Sequence, residues 1–192
     1  IICFPFADWI SQNCESWVEN ETERNMLLPF GINSKVLPSF LGDVNDYEVS
    51  YQHSNRPKVY ASISGNDFDL YKWDKVWDLA CQYRDIDFHL YGNTVPYPGT
   101  DNIFVHGRVP KEQMNEEIMG MQGALRLLPM EGFSEIIAKS VLWGQWPVSV
   151  IPYPYMLSLA ELGNLKDLKG ANIAWREYYR TILNCYPWNC NK

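Results

Sequence analysis

Short apolar runs alternate with amphipathic helical segments between residues 57 and 151, and this alternation narrows the possible folds more than any other feature of the chain. Lys58 to Ser64, Asp87 to Gly92, Asn102 to Gly107, Ala124 to Leu128 and Val148 to Ile151 have the length and apolar content of strands. Between them, Trp73, Val76, Trp77 and Ala80 recur at helical spacing. Val109 to Met121 supports a helix opened by Pro110, and Phe133 to Trp143 supports another. Strands alternating with helices predict a parallel sheet with both faces covered. Right-handed crossovers then make it a doubly wound, Rossmann-like α/β layer. Helices over 157–162 and 173–183 follow, the second with Trp175, Tyr178, Tyr179 and Ile182 on one face.

The first 56 residues are less regular. Ile1 to Phe6 reads as a strand, Ser11 to Arg24 as a helix with Ser11 at its N-cap, and Met26 to Gly31 as a strand entering a turn. Residues 32–56 are rich in Ser, Pro, Gly, Asp and Asn and read as a connection.

The 192 residues suffice for one well-buried domain, or one domain with a fragment of another. A net charge of −7 argues against a general nucleic-acid binder, whose affinity comes largely from Lys and Arg on phosphates. Five cysteines are an odd number, which points to free thiols in a reducing, cytoplasmic compartment. Cys185 and Cys190 are spaced to bridge or to share a metal, yet no second Cys/His pair accompanies them. The three histidines, His53, His89 and His106, lie too far apart in sequence for an obvious metal cluster. The opening residues lack the basic leader of a secretory signal. Gly144, Gln145, Pro147, Pro152 and Pro154 interrupt the best apolar span.

In a parallel sheet, ligands bind at the loops that follow the strands. Three such loops carry candidate chemistry. In the first, Gly65 and Asn66 permit close backbone approach, and Lys72 is placed either to meet a diphosphate or simply to sit in solvent. In the second, Arg108 is placed to stack on a ring or pair with an anion, and the backbone of Val109 to read a base edge. The third is Glu131-Gly132-Phe133-Ser134, which opens the 133–143 helix. A glycine turn at a helix N-terminus leaves N–H groups unpaired and suits phosphate. Glu131 is acidic at that anion site, so it either caps the helix or needs sugar hydroxyls or a lysine as partner. No Gly-x-Ser-x-Gly nucleophile elbow occurs, and the Glu116–Glu117 pair falls mid-helix on a face read as solvated.

Several of these segments together resemble the donor-binding domain of GT-B glycosyltransferases, in particular the large retaining family that uses nucleotide-diphosphate sugars. The resemblance is carried by Phe104-Val105-His106-Gly107-Arg108-Val109-Pro110, by the Leu125 to Leu128 strand closed by Pro129, by Glu131-Gly132-Phe133-Ser134, and by Gly144-Gln145-Trp146-Pro147-Val148. Upstream, Leu28 to Asn33 looks like the handover from that family's first domain to its second. The resemblance implies half of a GT-B fold: residues 1–31 as the tail of an N-terminal acceptor domain absent from this chain, 32–56 as a linker, and 57–192 as the nucleotide-sugar domain.

It also implies roles. Lys72 looks like the phosphate lysine, and Val109 the base-contacting position with Arg108 beside it. Glu131 looks like the first of the family's paired glutamates, near the donor sugar. Gly132, Phe133 and Ser134 look like the backbone that holds the diphosphate. The second glutamate, which holds the ribose, is replaced by Lys139, and the arginine after the first strand is absent. The implied activity is sugar transfer from a nucleotide-diphosphate donor to a glycan, lipid or polysaccharide precursor, with no cofactor and no metal. Its implied setting is polysaccharide biosynthesis, with membrane association only through the missing domain, at the inner face. The isolated chain is expected to bind donor and to transfer slowly or not at all. The competing readings are a non-catalytic nucleotide-sugar-binding or scaffold module, and an epimerase or phosphorylase of the same architecture.

Overall fold

The computed structural model describes residues 4–63, 68–92 and 100–184. Its centre is a five-stranded, all-parallel sheet made of β3 (Lys58–Ile63), β4 (Asp87–Gly92), β5 (Ile103–Gly107), β6 (Gly123–Arg126) and β7 (Val148–Ser149). The spatial order is β5-β4-β3-β6-β7. β3 and β4 run in register from Lys58↔Asp87 to Ile63↔Gly92, while β6 joins the other edge of β3 at Val59↔Gly123 and Tyr60↔Ala124.

The pleat sends alternate side chains to opposite faces. Val59, Ala61 and Ile63 of β3, with Phe88 and Leu90 of β4, pack against α3 (Trp73–Gln82) and the 3-10 helix Leu159–Asp167. Tyr60 and Tyr91 face the other way. They pack with α4 (Lys111–Ile118), α5 (Glu135–Leu142) and α6 (Ile173–Asn184). Helices on both faces let every central strand be apolar on both sides, as parallel sheets require. The doubly wound α/β class read from the alternation is the architecture found. The helix expected over 157–162 is that 3-10 segment, started by a capping box between Ser158 and Glu161.

The N-terminal part departs from the sequence reading. Of the strand expected over Ile1–Phe6, residues 1–3 lie outside the described residues and residues 4–6 instead open a helix, α1 (Phe4–Asn13). Its Ala7 is buried, but Phe6 and Trp9 are exposed, so the apolar opening does not have a strand's buried face. Ser11 is no N-cap: its hydroxyl donates to the Asp8 carbonyl within α1. The single helix expected over 11–24 is broken by β1 (Trp17–Val18). α2 (Glu21–Leu27) then starts afresh at Asn20, whose side chain accepts from the Glu23 N–H at 3.0 Å. Instead of a strand, residues 26–31 end α2 and form the 3-10 turn Leu28–Phe30. The connection expected over 32–56 includes β2 (Lys35–Val36), which pairs in parallel with β1. It also adds Phe40 and Val44 to the core beneath α5 and α6.

From β3 the chain moves outward to β4 and β5, then returns to the far side of β3 for β6 and β7. The carboxyl ends of β3 and β6 therefore form the topological switch point, where doubly wound sheets bind ligands. Among the described residues no helix is long and apolar enough to cross a membrane.

Candidate functional site

Arg126 ends β6 at this switch point. Its Nη1 reaches across to donate to the Ser62 carbonyl of β3 at 3.2 Å. Its Nε and Nη2 grip the two carboxylate oxygens of Glu131, at 2.8 and 2.5 Å, in a fork that fits the planar guanidinium. Both side chains are only 12% exposed. The guanidinium carbon lies 5.0 Å from the Tyr71 ring centroid, a cation–π contact. Burial works against the charge on Arg126, but the Glu131 carboxylate prevails and holds its pKa above the ordinary value.

The sequence reading asked Glu131 to find sugar hydroxyls or a lysine; the structure supplies an arginine from inside the chain instead. Through its bond to Ser62, Arg126 also brings a positive group to the end of β3. Sequence reasoning overlooked it because it sits within an apolar run read as buried strand.

The turn at 131–134 enters α5 with Ser134 at the N-cap, and the Ser134 side chain makes no capping hydrogen bond. The Phe133 N–H points at an anion, as expected of this corner, and that anion is Glu19: its Oε2 accepts from Phe133 at 2.8 Å. The carboxylate lies directly over Gly132, where any Cβ would collide with it. The Asn20 Nδ2 donates to the Glu131 and Gly132 carbonyls at 2.7 and 3.3 Å, and the Tyr153 hydroxyl donates to the Gly132 carbonyl. Burial, reinforced by the like charges of Glu23 and Glu131, raises the pKa of Glu19 against the Phe133 hydrogen bond.

Lys139, in the second glutamate's place, is buried on α5. Its Nζ pairs with Glu135 at 3.0 Å and donates to Asn115 Oδ1 at 3.1 Å. Burial opposes ionisation of Glu135, yet Lys139 and Lys111 together hold its carboxyl below the ordinary value. Lys72 is exposed at the N-cap of α3, in the left-handed region at φ 53°. Gly65 and Asn66 lie outside the described residues. Arg108 and Val109 line an open cavity of about 270 Å³ together with Ser62, Ile63, Tyr91 and Gly92. Ser62 links this cavity to the Arg126–Glu131 pair, since it lines the one and its carbonyl accepts from Arg126, while Glu131 itself lines a separate cavity with Asn20, Glu23 and Met26.

A further group was missed because its members are far apart in sequence. His89 of β4 and His106 of β5 face each other with Nδ1···Nε2 at 2.9 Å. The His106 Nδ1 lies 3.5 Å from Glu117 of α4, and the Tyr91 hydroxyl donates to the same carboxylate at 2.7 Å. Glu117 is therefore engaged, unlike the solvated carboxylate expected. Among the described residues no three His, Cys, Asp or Glu side chains are placed to hold a metal.

No protein-family profile matches the sequence, and no curated protein sequence does. Solved structures do match. The lipopolysaccharide outer core galactosyltransferase WaaB, in its apo form, aligns over 92% of this chain and 59% of its own, at TM-score 0.66 and 11% identity. This is the fold of solved glycosyltransferases. HepE from Anabaena, solved with UDP and glucose, aligns over 97% of this chain and 64% of its own, at TM-score 0.65 and 11% identity. TarM aligns over 94% and 41%, at TM-score 0.60 and 12% identity. The chain thus spans from 41% to 64% of the lengths of these three proteins.

Proposed function

We propose that this chain is the nucleotide-sugar half of a glycosyltransferase, transferring a sugar from a nucleotide-diphosphate donor to an acceptor held by a second domain. The observation that carries the reading is the meeting of Arg126 and Glu131 at the switch point, beside the open cavity at Val109. The base would lie in that cavity, its edge read by the Val109 backbone and its ring flanked by Arg108. The diphosphate would run toward Lys72 and the 132–134 turn, and the donor sugar toward Glu131. The loops at Gly65 and Asn66 would complete the phosphate side.

Catalysis then consists of stabilising the departing diphosphate with Lys72 and backbone N–H groups, without a required metal. Closure against the acceptor domain would supply proximity and exclude water. Residues 1–31 would be the end of that acceptor domain and 32–56 the linker. The retaining outcome, the polysaccharide setting and the cytoplasmic, membrane-facing location belong to the same proposal. The solved glycosyltransferases that share the fold support it, and HepE holds UDP and glucose.

Calorimetric titration with UDP- and GDP-sugars tests it. Binding of one nucleotide class is expected, with Lys72→Ala weakening it by about tenfold, the scale of one lost charge contact. Absence of nucleotide-dependent heat would refute it. The second reading, a non-catalytic binding or scaffold module, is favoured by one observation: both oxygens of Glu131 are already engaged by Arg126. Nucleotide binding that survives Lys72→Ala unchanged would select that reading.

A further inference from the structure

The Glu19 carboxylate occupies the hydrogen-bond donor that a ligand phosphate or sugar oxygen would use, held there by hydrogen bonds without a counter-ion among the described residues. Its Oε2 takes the Phe133 N–H at 2.8 Å, and its Oε1 accepts from the Ser39 hydroxyl. Among the described residues no lysine or arginine pairs with it, and two carboxylates, Glu23 and Glu131, face it. Glu19 is half-buried, and its charge is met there by hydrogen-bond donors alone. The segment carrying Glu19 is tethered to the same turn by the Asn20 side chain. Gly132 leaves room for an oxygen to lie directly over its backbone, and that oxygen belongs to Glu19. The corner is thus built to receive an anionic or hydroxyl oxygen and is filled from within the chain.

We infer that Glu19 is an internal stand-in for the donor's diphosphate or sugar oxygen, an autoinhibitory latch that a nucleotide sugar must displace to seat against the 132–134 turn. The inference rests on the nucleotide-sugar reading above. It makes binding a competition: the ligand gains the Phe133 N–H only when the 18–23 segment lets go. Occupancy of the corner would therefore couple to the position of the N-terminal residues, which on this reading lead into the acceptor domain.

The test compares the full chain with Glu19→Gln and Glu19→Ala, using uridine, UDP and UDP-glucose as probes in calorimetry. Glu19→Gln keeps an acceptor for Phe133 while removing the charge, so it guards against a fold lost in the alanine variant. UDP and UDP-glucose affinity is expected to rise by about tenfold in Glu19→Ala, the scale of one released charge-assisted hydrogen bond, and by a smaller factor in Glu19→Gln, whose neutral amide oxygen still competes for Phe133, while uridine affinity stays unchanged. The Phe133 amide should exchange with solvent faster in Glu19→Ala and be protected again by UDP. Equal UDP affinity in all three proteins overturns the latch and leaves the nucleotide reading standing. No binding of any probe by any of the three overturns both.

Discussion

Arg126 is the residue whose loss should disturb this crevice most. Removing it leaves Glu131 nearly buried without a counter-ion, and breaking one side of such a pair costs about 3 kcal/mol. Arg126→Leu is therefore expected to lower the unfolding free energy by about that amount in urea titrations. Arg126→Lys should recover only part of it, because an ammonium cannot span both carboxylate oxygens. Lys139 gives a complementary prediction. Lys139→Glu would supply the glutamate that the glycosyltransferase resemblance calls for, yet it would set a buried carboxylate beside Glu135. Thermal melts should show destabilisation, with no gain in nucleotide affinity.

His89 makes a pH prediction. Burial first, then the charges of His106 and Lys58, lower its pKa from the ordinary 6.5 to about 4, with Asp87 and Glu117 opposing. Its Nε2 is buried without a partner, so a proton there has no acceptor. A depressed folded pKa contributes stability that is present above about 6.5 and lost as the pH falls toward 4. His89→Phe should remove about 2 to 3 kcal/mol of acid sensitivity across that window, measured by urea unfolding at pH 7.5 and 4.5. Of these residues, Glu131 stood out in the sequence because an acid at an anion corner conflicts with its setting. Arg126 did not, because it sits within an apolar run although its partner Glu131 is nearby in sequence; Glu19 and the His89–His106 pair did not, because their partners lie on elements distant in sequence.

Among the elements, legibility followed length and burial. β3, β4 and α3 span enough residues for a period to show, and the expected positions agree with those found. β1 and β2 are two residues each, too short to carry any alternation. α1 and α2 failed for a different reason: their apolar residues are largely exposed, so hydrophobicity misled the reading. One junction between elements has a clear anchor. Asn102, fully buried ahead of β5, donates through Nδ2 to the carbonyls of Ala80, Tyr83 and Ile86 at 3.0, 3.1 and 2.9 Å. It thereby satisfies carbonyls at the end of α3 and in the turn into β4. Asn102→Leu should cost about 2 to 3 kcal/mol, the scale of several buried acceptors left unpaired. Hydrogen exchange should locate the loosening at residues 80–86, with β6 and β7 unaffected.

At the scale of the molecule, the doubly wound class follows from the alternation of elements together with the handedness of crossovers, which is why it was readable before any coordinate, while the strand order was not. The crevice was readable as a location, because carboxyl ends of parallel strands gather at one edge. How it is filled was not, because that depends on Glu19, more than one hundred residues away from the turn it occupies.

The strand order also bears on biosynthesis. β3, β4 and β5 emerge from a ribosome as a consecutive set, leaving the second edge of β3 bare until residue 123 is made. A chain paused near residue 110 would present Val59 and Tyr60 with no neighbour on that side, a ready template for pairing with another nascent copy. Slowing synthesis over 108–123 would therefore lengthen the time for which that edge stays open.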